Sequence, residues 1–152
     1  MHIFLTGPLQ SGKSTAIAHY LVGRPEAPGG FRTHWDRAGG RLTLELLETG
    51  ETLSVATMEP HGVRADRAVF DAAGERSLLL MDELGFLERC SPVFQRAVFT
   101  LLDGPAPVLG VLRRHEKSPF WGPVSRRADV RLLPLTVENR AEIPAELTRL
   151  LG

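Results

Sequence analysis

A strand, a glycine-bearing loop and a helix are predicted in immediate succession near the start of this sequence. Residues 2–6 form a short apolar run that stops at Gly7, which is typical of a buried strand. Residues 14–22 then carry apolar side chains at helical spacing, and Gly23 marks the end of that helix. A buried strand that leads directly into a helix is characteristic of α/β folds, in which helices cover a sheet.

The loop between these two elements carries a phosphate-binding pattern. It reads Gly7-Pro8-Leu9-Gln10-Ser11-Gly12-Lys13-Ser14 and matches G-x-x-x-x-G-K-[ST]. In this pattern the backbone N–H groups of a tight loop point at phosphate oxygens, and the N-terminus of the following helix faces the same anion. Lys13 can reach the β- and γ-phosphates, and the Ser14 hydroxyl can ligate Mg²⁺. Residues 7–14 therefore predict a nucleotide-binding site.

Two adjacent carboxylates follow the apolar run at residues 77–81. In a parallel sheet the carboxyl ends of the strands face the ligand, so Asp82 and Glu83 are expected beside the phosphate loop. Asp82 is then placed to hold Mg²⁺, directly or through water, and Glu83 to polarise a water in line with the γ-phosphate. An acidic pair alone is more often a solvated strand end, and the neighbouring loop is what favours the functional interpretation.

The remaining pattern predicts a mostly parallel sheet with helices on both faces and an antiparallel hairpin at one edge. We expect one α/β/α sandwich domain over residues 1–152, which is a usual size for a single domain. The further elements are strands at 31–35, 42–47, 53–57, 107–112 and 130–135, and helices at 65–73, 92–102 and 143–151.

Two arginines follow the predicted strand at residues 107–112. If that strand lies between the first strand and the strand before Asp82, then Arg113 and Arg114 face the γ-phosphate. One of them could stabilise transition-state charge, as an arginine finger supplied in cis does. The alternative is a solvated loop.

Composition argues against nucleic acid and membranes as partners and favours a reducing compartment. The 18 basic and 18 acidic residues give a net charge of zero, which argues against nucleic acid and anionic membranes as partners. Cys90 is the only cysteine, so no internal disulfide can form. The sequence has no apolar stretch of membrane-spanning length. We expect a cytoplasmic protein.

Taken together, these motifs resemble the small P-loop nucleoside-triphosphatase family, which includes thermophilic and cancer-related nucleoside-triphosphatases. Beside the phosphate loop, three stretches carry the resemblance. They are Gly30-Phe31-Arg32-Thr33 with Arg37, Gly39 and Arg41; Asp82-Glu83-Leu84-Gly85 with Glu88; and Val137-Glu138-Asn139-Arg140 with Ile143-Pro144. The phosphate loop is common to many folds, whereas the other three stretches in this order are more specific.

The resemblance implies Mg²⁺-dependent hydrolysis of several nucleoside triphosphates to diphosphate and phosphate by a monomer. It also implies that the phosphate site extends to Thr15, with Asp82 and Glu83 serving metal and water. The chain departs from the family pattern at Gln10, which replaces a loop glycine, and at Phe86, which replaces a lysine. The segment between Thr57 and Ser77 is also shorter than the family pattern.

Two alternatives to hydrolysis stay open at this point. A nucleotide or small-metabolite kinase is one, although neither an arginine-rich lid nor a second acidic motif for an acceptor is evident in the sequence. A non-catalytic nucleotide-binding regulatory module is the other, because of the departures at Gln10 and Phe86.

Overall fold

In the described part of the chain, seven strands form a single mixed sheet with helices on both faces. The computed structural model describes residues 1–8, 12–36, 41–47, 50–54, 77–84, 92–115, 118 and 120–152. Its strands are β1 (His2–Thr6), β2 (Gly29–Asp36), β3 (Arg41–Leu46), β4 (Thr52–Ser54), β5 (Leu79–Leu84), β6 (Val108–Leu112) and β7 (Val130–Pro134). Its helices are α1 (Lys13–Val22), α2 (Pro92–Asp103), α3 (Trp121–Ser125) and α4 (Ile143–Leu151).

The strand order across the sheet is β4-β3-β2-β5-β6-β1-β7. Neighbouring strands pair in parallel along the series β2, β5, β6, β1 and β7. β3 pairs antiparallel with both β2 and β4. The predicted α/β/α sandwich with an edge hairpin is therefore confirmed. β6 lies between β1 and β5. The prediction that Arg113 and Arg114 face the γ-phosphate depends on this strand order.

Alternating side chains of the central strands pack into two separate cores. On β1, Phe4 faces one core, where α2 and α3 contribute Val98 and Val124. Ile3 faces the opposite core, which contains side chains of α1 and α4. This alternation follows from the two-residue period of a strand, and it explains why the strand segments read as continuous apolar runs.

Gly30 allows β2 to lie directly against β5. Its φ is +99°, and a Cβ added there would lie 2.1 Å from the carbonyl oxygen of Leu80. Only glycine fits this backbone conformation and this approach. The position that the sequence marked in Gly30-Phe31-Arg32-Thr33 therefore has a structural reason.

His2 is buried at the first position of β1, and its ring links β1 to the end of α2 and the start of β6. Its Nδ1 accepts a hydrogen bond from the backbone N–H of Val108 at 3.0 Å, so the proton of the neutral ring sits on Nε2. Nε2 then donates to the carbonyl oxygen of Leu102 at 2.7 Å. Burial lowers the pKa of His2, because the charged imidazolium loses solvation there.

The structure differs from the sequence prediction in two places. β5 continues through Asp82 and Glu83 to Leu84, so the carboxylates lie within the strand and not after it. Helix α3 was not predicted, because its five residues include a glycine and a proline and show no helical periodicity. The predicted helix at 65–73 and the end of the predicted strand at 53–57 lie outside the described residues.

Within the described part of the chain, no helix has both the length and the apolar character that a membrane crossing requires.

Candidate active site

The phosphate loop connects β1 to α1, as predicted. Gly7 has φ +145° and Gly12 has φ +97°, so both glycines adopt conformations that other residues rarely take. The carbonyl oxygen of Gly12 accepts the hydrogen bond from the N–H of Ala16, and α1 starts at Lys13. Leu9, Gln10 and Ser11 lie outside the described residues, so the effect of Gln10 on the loop stays a sequence-level expectation.

Lys13 folds back over the start of the loop. Its Nζ donates hydrogen bonds to the carbonyl oxygens of Gly7 at 3.0 Å and Pro8 at 2.6 Å. Burial lowers the pKa of Lys13, and the nearby carboxylates of Glu83 and Asp82 oppose that shift. The ammonium group therefore lies at the mouth of the loop and close to the acidic pair.

Ser14 and Asp82 are in direct contact. The Ser14 hydroxyl lies 3.1 Å from one carboxylate oxygen of Asp82 and 3.3 Å from the other. Asp82 is only 6% exposed, and burial raises its pKa, while the hydrogen bond from Ser14 opposes the shift. The start of α1 and the end of β5 thus place two oxygen donors at one point.

Thr33 on β2 holds the peptide unit between Asp82 and Glu83. Its hydroxyl donates to the carbonyl oxygen of Asp82 at 3.3 Å and accepts from the N–H of Glu83 at 3.1 Å. Burial raises the pKa of Glu83, and the neighbouring Asp82 carboxylate adds to that shift. Thr33 belongs to the stretch that resembles the family hairpin, and the sequence alone predicts no contact between it and the acids.

Glu83 and both predicted arginines line one cavity. Its volume is about 200 Å³, and its lining consists of Gly7, Pro8, Lys13, Glu83, Arg113 and Arg114. Arg113 is close enough to Lys13 and Glu83 to influence both of their pKa values. The guanidinium of Arg114 lies 5.6 Å from the ring centre of Trp121, which is within cation–π range.

A second cavity of about 380 Å³ adjoins the phosphate loop. It is lined by Gly12, Thr15, Ala16, His19, Arg140, Ala141 and Pro144. The sequence favours a surface turn at Asn139 and Arg140, with Arg140 able to approach a base, and the predicted site includes neither residue. The contact of Arg140 with the loop depends on the sheet order, which brings the end of β7 beside β1.

Comparison with known proteins decides the family. A family model described as NTPase matches residues 2–148 of the chain. The chain belongs to the nucleoside-triphosphatase family. It is therefore an enzyme of the nucleoside-triphosphatase type, as the sequence predicted.

Curated members of the nucleoside-triphosphatase family match over nearly the whole chain. Nucleoside-triphosphatase THEP1 of Thermofilum pendens is 32% identical, and the match covers 97% of this chain and 93% of that protein. Nucleoside-triphosphatase THEP1 of Methanothermobacter thermautotrophicus is 27% identical, with 100% and 97% covered.

Two solved structures share the fold of this nucleoside-triphosphatase. The crystal structure of THEP1 from the hyperthermophile Aquifex aeolicus matches with a TM-score of 0.80 at 22% identity, over 100% of this chain and 99% of that one. The solution structure of a human cancer-related nucleoside triphosphatase matches with a TM-score of 0.70 at 24% identity, over 99% and 97%.

Proposed function

We propose that this chain hydrolyses nucleoside triphosphates to diphosphate and phosphate in a Mg²⁺-dependent reaction, with Glu83 activating the attacking water. The observation that carries the proposal is the contact between Ser14 and Asp82, at 3.1 and 3.3 Å. It joins the phosphate loop to the strand that bears Glu83, so that phosphate, metal and base can act at one place.

The donor set at this contact fits Mg²⁺. Hard divalent cations prefer oxygen ligands, and Mg²⁺ is usually held by one or two protein groups together with waters and substrate phosphates. Ser14 and Asp82 supply such a pair. No group of three or more His, Cys, Asp or Glu side chains that could form a closed metal cage occurs among the described residues. Bound Mg²⁺ would neutralise charge on the β- and γ-phosphate oxygens.

The other residues of the smaller cavity have complementary roles in this proposal. Residues 7–15 form the phosphate site, in which the backbone N–H groups of all but Pro8 are available to the phosphates and Lys13 reaches the β- and γ-phosphates. Glu83 accepts a proton from the water as its oxygen bonds to the γ-phosphorus and the bond to the bridging oxygen breaks. Arg113 and Arg114 stabilise the negative charge that develops on the phosphoryl group.

The decisive experiment separates binding from turnover. Glu83→Gln keeps the size of the side chain and removes the base, so we expect kcat to fall by about 10²–10⁴-fold while the Kd for nucleoside triphosphate stays within about twofold. Lys13→Ala is expected to abolish binding, because the ammonium group is lost from the phosphate site. The matched control is Glu138→Gln, which removes an exposed carboxylate outside both cavities.

Phosphate release is measured with Mg²⁺ and without an added acceptor. Consumption of nucleoside triphosphate is then measured with candidate acceptors present. Wild-type turnover in Glu83→Gln would refute the assignment of the base. Turnover that requires an acceptor would identify a kinase, and tight binding without any phosphate release would identify a regulatory module. The single cysteine, which cannot form an internal disulfide, supports a cytoplasmic location for this reaction, and the family resemblance implies a monomer.

A further inference from the structure

The two arginines of the smaller cavity are held in different ways. Arg113 is half-buried, and its backbone N–H donates to the carbonyl oxygen of Leu84 at 2.8 Å, directly after the end of β6. Its charge lies close enough to act on Lys13 and Glu83. Arg114 is exposed, yet it lines the same cavity. The backbone therefore ties Arg113 to β5, whereas the direction of the Arg114 side chain depends on what its guanidinium contacts.

The guanidinium of Arg114 lies over the side chain of Trp121. Its central carbon is 5.6 Å from the centre of the indole ring. Among the aromatic side chains, tryptophan attracts a cation to its face most strongly, because of its ring quadrupole. An exposed arginine otherwise samples many rotamers, and that freedom is lost when it binds a charged group. The contact with Trp121 therefore restricts Arg114 before a ligand arrives.

Trp121 is itself anchored to the core of the protein. It is the first residue of α3, and it packs against the core to which α2 and α3 contribute. The preceding residue, Phe120, is fully buried, and its ring centre lies 6.1 Å from that of Phe99 on α2. The N–H of Phe120 also donates to the hydroxyl of Ser118 at 3.2 Å. Trp121 therefore offers Arg114 a surface whose position relative to the sheet is set by the core.

We infer that Trp121 is a positioning residue for hydrolysis, which holds the Arg114 guanidinium at the smaller cavity so that it is in place when charge develops on the γ-phosphoryl group. This inference rests on the proposed function, in which Arg114 stabilises that charge. Trp121 is outside the described lining of the cavity and acts through Arg114. Because a preorganised charge stabilises the transition state more than the bound substrate, Trp121 affects kcat more than KM.

A double-mutant cycle between Trp121 and Arg114 tests the inference, with kcat and KM measured by steady-state phosphate release in the presence of Mg²⁺. Trp121→Leu is expected to lower kcat about fivefold, which is the size of effect that one cation–π contact can have on a rate, and to change KM less than about twofold. Trp121→Phe keeps an aromatic face and should retain at least about half of kcat. In an Arg114→Gln background, Trp121→Leu should change kcat less than about twofold, because the group through which Trp121 acts is gone.

Phe99→Leu is the matched control. It also replaces an aromatic side chain that packs against the same core, and Phe99 is outside the described lining of both cavities. Its effect on kcat is expected to be small, and the same with and without Arg114→Gln. An unchanged kcat in Trp121→Leu would overturn the inference, and so would an equal loss of kcat in the Arg114→Gln background, because Trp121 would then act through the core and not through Arg114. Failure of the proposed function is visible separately, as normal phosphate release by Glu83→Gln in the otherwise unchanged chain.

Discussion

One hydroxyl group on β2 contacts the backbone of both acidic residues. Thr33 donates to the carbonyl oxygen of Asp82 and accepts from the N–H of Glu83, so the peptide between them is held on two sides. The Asp82 carboxylate has a separate partner, because it accepts a hydrogen bond from the hydroxyl of Ser14. Thr33 is therefore a positioning residue that acts through Asp82 and Glu83.

Replacing this hydroxyl by a methyl group tests the positioning role. In Thr33→Val we expect kcat to fall about tenfold, which corresponds to the roughly 1–1.5 kcal/mol that a hydrogen bond contributes, while KM changes less than twofold. Thr33→Ser retains the hydroxyl and should retain most of kcat. Steady-state phosphate release measures both constants. A rise in KM with unchanged kcat would show that Thr33 affects substrate binding and not the acids.

The neutral form of His2 stabilises the fold. Protonation would place a hydrogen on Nδ1, where the N–H of Val108 already donates. Burial and the nearby N-terminus and Arg127 disfavour the charged ring, whereas the Leu102 carbonyl and Asp129, 3.6 Å away, favour it. The net effect is a pKa below the ordinary value of 6.5. The unfolded chain therefore binds the proton more tightly than the folded one.

Stability is accordingly expected to depend on pH through His2. The contribution is complete above pH 6.5, the unfolded value, and decreases as the pH falls from there towards the folded pKa. Urea unfolding at several values between about pH 5 and pH 8 measures the free energy of unfolding. His2→Gln cannot titrate, so the slope of stability against pH should become shallower. An unchanged slope would contradict the assignment to His2.

At the scale of elements, the contact between β2 and β5 places Thr33 beside the acids. The pairing aligns Gly30 with Leu80 and Arg32 with Asp82. Because Gly30 has a positive φ and lies against the backbone of Leu80, any side chain there would force β2 away from β5. Gly50 also has a positive φ, of +72°, but a Cβ there would meet no atom within 4 Å.

This pair of glycines separates close packing from backbone preference. Gly50→Ala is expected to cost about 1 kcal/mol, because only the left-handed conformation is penalised. Gly30→Ala is expected to cost at least about 3 kcal/mol, because the strand contact is also lost. Urea unfolding of both variants measures the difference. Equal losses would indicate that the sheet tolerates a methyl group between β2 and β5.

Local patterns in the sequence predicted most of the elements and the parts of the site that belong to them. The phosphate loop and the acid-bearing strand have strong local signals, so the sequence predicts that Lys13, Ser14 and Asp82 lie close together, as they do in the structure. The sequence does not predict the contact of Thr33 with the acids or the place of Arg140 beside the loop, because both depend on which strands become neighbours. Sheet order is a property of the whole fold that local periodicity does not encode. Helix α3 is too short to produce a periodic pattern.

At the scale of the whole molecule, α1 contributes to both cavities and to one of the two cores. Ligand binding at the phosphate loop is therefore coupled to the global fold. We predict a monomer that unfolds in one cooperative transition, as single domains of this size usually do. A non-hydrolysable nucleotide at about 100 times its Kd should raise stability by about 2.7 kcal/mol.

That gain corresponds to a rise in Tm of roughly 5–10 °C for a domain of this length. Calorimetry with and without nucleotide measures it, and light scattering measures the mass in solution. Lys13→Ala should show no rise, since it lacks the phosphate contact. Two separate transitions, or a rise that persists in Lys13→Ala, would contradict the prediction.

β6 lies between β1, which leads into the phosphate loop, and β5, which bears the acids. Its position sets the distance between the backbones of these two strands. Two neighbouring strand spacings separate the backbone of β1 from that of β5, which is roughly 10 Å. Hydrogen bonds between main chains fix that width, and these bonds are the same for nearly every side chain. The main chain therefore sets the distance between β1 and β5. Side chains of the surface and the core can therefore be replaced while the distance between the backbones of β1 and β5 stays nearly the same.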